Sequence, residues 1–100
     1  MMFQDMNPVL TEAQGSEEIA TSTGSTDTLT KARGVSAALI CNQSTTDTVQ
    51  YSLTGEMTGG GICIPPEQTI YIPSKSWLDG FICKAVSGTP TIYVQYFKFT

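Results

Sequence analysis

Four carboxylates, Asp47, Glu56, Glu67 and Asp79, fall in turn-like segments, three cysteines, Cys41, Cys63 and Cys83, fall on strand-like runs, and the 100-residue chain has no histidine. Acyl transfer through a Ser-His-Asp or Cys-His arrangement needs a base that moves a proton near neutral pH, usually histidine, and that base is missing. A carboxylate pair can hydrolyse a glycoside only at a defined separation, and these scattered acids read as solvated turn residues. No Asp-x-Asp-x-Asp-Gly run marks a calcium loop. The cysteines lack CxxC spacing and the fourth ligand that zinc requires. They read as reduced core or near-core thiols, with one disulfide and a spare thiol as the alternative. Gly55, Gly59, Gly60 and Gly61 make a glycine-rich loop, but no Lys-Ser/Thr and no helical pattern follows them, so it is not a phosphate loop. No catalytic residue, cofactor or metal is assigned, and the expected class is non-enzymatic.

The residues left to do work are those that bind. Residues 1–16 read as an extended N-terminal arm with no sustained period, broken by Pro8 and Gly15. Within it Phe3, Met6, Pro8, Val9 and Leu10 are too apolar for a simple solvated tail, and they are the candidate anchors on a partner. Trp77, the only tryptophan, has two readings: a core plug between sheets, or an exposed anchor at an interface or under a sugar ring. Phe97 and Phe99 close the last strand-like run as further contact candidates. A rival site stacks sugars on Trp77, Tyr71 and Tyr93 beside the glycine-rich loop.

These residues must be positioned by strands. Val35–Asn42, Thr48–Leu53, Gln68–Ile72, Gly80–Val86 and Thr91–Phe99 alternate or are continuously apolar, and turn residues separate them. Val35–Asn42 is apolar on both faces and should be central, with Thr48–Leu53 as an antiparallel neighbour. Ile62–Ile64 stops at Pro65-Pro66, which confines it to an edge. Glu18–Thr23 and Thr28–Arg33 flank Gly24–Asp27 as a first hairpin. Ser74–Gly80 forms a loop or a single helical turn. The total is about seven or eight short strands at the spacing of an all-β antiparallel sandwich, jelly-roll-like, over residues 17–100. The aromatic last strand would leave an attractive edge unless something covers it.

Composition bounds the partners. Five basic residues against nine acidic ones give a net charge of -4, which offers nucleic-acid phosphates no footprint. Charged residues are only 14% of the chain, against about 25% in an average one, and hydroxyls and amides supply the polarity. Such a surface is covered by a neighbour at lower cost than one that must desolvate ions. No run approaches the roughly 18 apolar residues of a membrane helix. The start, Met1-Met2-Phe3-Gln4-Asp5, lacks the basic flank and apolar stretch of a secretory signal, so use within the producing cytoplasm is expected.

In their order, the segments Ala38–Gln43, Asp47–Leu53, Gly59–Ile70, Gly80–Gly88 and Thr91–Tyr96 resemble the small β-sandwich virion proteins of tailed bacteriophages. There a strand ending in Asn is followed by a second strand, a glycine-rich loop, an apolar-Pro-Pro segment and a closing hairpin. The resemblance implies a capsid cement or decoration subunit that contacts the major capsid protein and itself as a homodimer or homotrimer, assembled in the host cytoplasm and placed on the capsid surface. A fibre or spike module that binds a glycan or receptor, or a small tail or head-tail joining piece, is the alternative role. Neither nucleic acid nor membrane is an expected partner.

Overall fold

A computed structural model describes residues 10–30 and 34–99 of the chain, and among them eight strands form. They are β1 (Leu10–Ala20), β2 (Asp27–Thr28), β3 (Ala37–Asn42), β4 (Val49–Ser52), β5 (Ile62–Ile64), β6 (Thr69–Ile72), β7 (Ile82–Ala85) and β8 (Thr91–Phe99). One short helix, α1 (Lys75–Asp79), precedes β7. The strands make two antiparallel four-stranded sheets, ordered β1-β8-β3-β6 and β2-β7-β4-β5. Partners are nested in this all-β sandwich: β1 pairs with β8, β2 with β7, β3 with β6 and β4 with β5.

Alternation decides which residues the two sheets bury against each other. Ala38 and Ile40 of β3 and Ile92, Val94 and Tyr96 of β8 point inward from the first sheet; Val49, Ile64 and Cys83 meet them from the second. Phe81 stacks on Tyr51 with ring centroids 5.5 Å apart and adds an aromatic pair to this layer. Among the described residues the buried side-chain polar atoms all have hydrogen-bond partners. Asn42 Nδ2 donates to the carbonyls of Asp47 (2.8 Å) and Ile64 (3.0 Å), while its Oδ1 accepts from the Ser44 amide (3.0 Å). Asn42 thus ties the end of the first sheet to β5 of the second. At the opposite border the Glu17 carboxylate accepts from the Tyr96 hydroxyl and from the Thr30 hydroxyl and amide, fixing β1 to the chain that follows β2.

Several expectations are met in detail. β3 is central, flanked by β6 and β8, and β5 is an edge strand ended by Pro65. Ser74–Gly80 is one capped turn of helix: Ser74 Oγ accepts from the Trp77 amide, and the Gly80 amide donates to Ser76 O at 3.2 Å.

Other expectations are corrected. The first hairpin does not form, because β1 pairs with β8 and β2 with β7, in different sheets. β3 and β4 are not neighbours either; Gln43–Thr48 carries the chain from one sheet to the other. The aromatic β8 is not an edge, because β1 covers it along its length. Residues 10–16, read as part of an arm, belong to β1, which is bulged where the register shifts between Ala13 and Ser16 at Gly15 (φ 104°).

Candidate functional site

The candidate contact residues are not gathered at one place. Phe3, Met6, Pro8 and Val9 lie outside the described residues. Leu10 and Phe99 sit opposite each other at the far end of the β1·β8 ladder, and Phe97 lies opposite both Ala13 and Ala37, half-buried. Trp77 is 48% exposed, so it is not a core plug; the next residue of α1, Leu78, takes that place at 1% exposure. A one-turn helix turns only one residue of this pair inward, and the aliphatic one packs between the sheets.

The outward face of β3, β6 and β8 brings other residues together. Leu39 lies between Tyr71 and Gln95, and Cys41 lies between Thr69 and Tyr93, in direct cross-strand register. Phe97 continues the same face of β8 below Gln95. Leu39, Cys41, Tyr93 and Phe97 are half-buried and Tyr71 is 46% exposed. No outward position of these three strands carries a charge, and Glu18, opposite Tyr93 on the β1 edge, supplies the nearest one along the register. Polar groups here are held in place: the Tyr93 hydroxyl donates to Gln95 Oε1 (3.3 Å), and Gln95 Nε2 donates to the Gly15 carbonyl at the bulge (3.0 Å). The result is a fixed face that can be covered without stripping water from an ion.

The outward face of the second sheet differs. Thr28, Ile82, Ser52, Gln50, Lys84 and Cys63 alternate with the core residues, and the glycine-rich loop folds back over Gln50, whose Oε1 accepts from the Gly61 amide at 3.0 Å. Here lies an open depression of about 370 Å³ lined by Gln50, Met57, Gly59, Gly60 and Lys84. The glycines do shape a pocket wall, but Tyr71 and Tyr93 stand on the other side of the sandwich, and the three-aromatic sugar platform is not assembled beside the loop.

All three cysteines are free. Cys83 is fully buried on the inner face of β7, and burial, with the Asp27 carboxylate beside it, pushes its thiol up from 9.0 to about 12. Cys41 is half-buried, but Cys63 is exposed, which corrects its reading as a near-core thiol: Ile64 takes the inward position and parity sends Cys63 out. Among the described residues no cluster of His, Cys, Asp and Glu could hold a metal ion. The sequence reading missed the uncharged face because its members come from three strands whose order in the sheet is not consecutive; strand parity alone did give the outward sets of β3 and β8. No helix in the described residues is long and apolar enough to cross a membrane. Comparison with protein-family models, with curated proteins and with solved structures finds no match.

Proposed function

We propose that the chain is a non-enzymatic structural subunit of a virion, of the cement or decoration type, which binds neighbouring major capsid proteins and copies of itself through the outward face of β3, β6 and β8. The carrying observation is the absence of charge across that face in a chain of net charge -4, with Leu39, Tyr71, Tyr93 and Phe97 as its apolar content. Two further points support the reading: the resemblance of the strand and turn order to small phage virion proteins, and a jelly-roll-like order, which serves capsid and lectin domains alike.

Magnitude favours many contacts over one. Three strands about 4.8 Å apart and about four residues deep make a flat patch of roughly 200 Å². A stable isolated pair needs about 800 Å² per partner. A face of this size works best where several neighbours act together, as in a lattice of repeated subunits.

The test is sedimentation of purified protein with parent particles that lack it. Wild type is expected to pellet with the particles in fixed stoichiometry, and the Leu39→Lys and Tyr93→Lys variants, folded by circular dichroism, to stay in the supernatant. Wild type that remains in the supernatant, or variants that pellet equally well, overturn the proposal.

A further inference from the structure

The depression on the opposite sheet has the donors of an anion site and no acidic residue in its lining. Gln50 of β4 and Lys84 of β7 are directly opposite each other in register, which places their Cβ atoms about 5 Å apart on the outward face. The Gly61 amide donates to Gln50 Oε1 at 3.0 Å, so the side-chain amide is oriented by a donor that only its oxygen can accept. Its Nε2 is turned away from Gly61 and makes no hydrogen bond to a described residue. Lys84 likewise forms no ion pair with any described carboxylate, whereas Lys75 is paired with Asp79 at 3.0 Å.

The loop completes the wall with backbone. Gly59 (φ 78°) and Gly60 (φ 122°) hold left-handed conformations that side chains resist, and a Cβ at Gly61 would stand 2.5 Å from the Tyr51 carbonyl oxygen. The loop therefore lies close on β4 and presents no side chain of its own at Gly59 or Gly60. Met57 adds an apolar flank, and no acid lines the depression. A volume of about 370 Å³ is at the small end of ligand sites.

We propose that this depression binds a carboxylate, with Lys84 Nζ and Gln50 Nε2 as its donors and Met57 against the carbon chain that bears it. A carboxylate accepts from both donors at once, and in a chain of net charge -4 it meets here an unpaired cation. The ligand comes either as a free small acid or as the acidic side chain of a partner protein, and the two share this chemistry.

The test is a titration of ¹⁵N-labelled full-length protein followed by NMR, with acetate as the free acid, N-acetyl-aspartate amide as the side-chain mimic, and N-acetylglycinamide as a neutral control. Saturable shifts confined to the Gln50 side-chain amide, the amides of Gly59, Gly60 and Gly61, and Lys84 are expected with the two acids and not with the control. Lys84→Met, with an otherwise unchanged spectrum, should weaken binding at least about tenfold. Tighter binding of the aspartate mimic assigns the site to a protein side chain, and tighter binding of acetate to a free acid. Equal shifts with the neutral control, no saturation with either acid, or undiminished binding by Lys84→Met overturn the proposal.

Discussion

At the scale of single residues, Asn42 and Cys83 show how interior groups constrain the sandwich. Asn42 is fully buried yet makes three hydrogen bonds, to backbone groups of Ser44 and Asp47 in the connection between the sheets and of Ile64 in β5. Replacing it by Leu leaves two carbonyls and one amide without these partners and should cost about 3 kcal/mol. For a domain of this size that lowers Tm by roughly 15 °C, readable by thermal denaturation. Cys83 gives a pH signature. Its folded thiol titrates near 12 against 9.0 when solvated, so the unfolded chain ionises first. Stability from this group is complete below pH 9 and is lost as pH rises toward 12. Cys83→Ala should flatten that alkaline decline in urea melts at pH 8 to 11; an unchanged slope would show that Cys83 does not set it. In native alkylation followed by mass spectrometry, Cys63 should react first and Cys83 only on unfolding, because the thiolate is the nucleophile.

At the scale of elements, two turns carry opposite substitutions. Pro65–Gln68 is closed by the Gln68 amide donating to the Pro65 carbonyl (3.2 Å), with Glu67 at φ 64°, a position that favours glycine. Glu67→Gly should stabilise the fold by about 1 kcal/mol. Gly80 has an ordinary φ, but a Cβ there would run into the Leu53 carbonyl oxygen, and Gly80→Ala should destabilise by about 2 kcal/mol. Chemical denaturation of the two variants checks both signs. The same scale explains what could be read beforehand. β3 and β8 were legible because Ala38-Leu39-Ile40 and Ile92–Tyr96 alternate or run apolar without interruption. β1 was not, because Glu12, Gly15, Glu17 and Glu18 mask any period, and its strand character comes from pairing with β8, far along the chain. Trp77 was undecided because a single helical turn gives no stripe to read. The uncharged face was legible only in halves: parity gave each strand's outward set, but which strands lie side by side is a non-local fact.

For the whole molecule, the edges are where assembly is controlled. β5 and β6 are short and bounded by prolines, Pro65 after one and Pro73 after the other, and β1 is bulged and bears Glu17 and Glu18. Such edges resist indiscriminate strand addition, so association is directed to the sheet face. β1 is also what keeps β8 from being an edge. Deleting residues 2–20 should therefore expose β8 and raise aggregation above that of the full chain, measured by light scattering, while a chain that stays as dispersed as the full one would show that β8 needs no cover. An earlier cut within the arm, through residue 14, already removes part of β1 and so changes the sheet as well as any docking segment.

The nested pairing also sets a timetable for synthesis. β1 leaves the ribosome roughly 70 residues before β8 begins, and at about 5–20 residues per second its partner arrives about 4–14 s later. During that interval the other three nested pairs, β2·β7, β3·β6 and β4·β5, can close before β1 finds a ladder. The first of these eight strands is the last to be paired, and the carboxylate of Glu17, waiting for the hydroxyl of Tyr96, is a latch that engages only once the rest of the sandwich behind it exists.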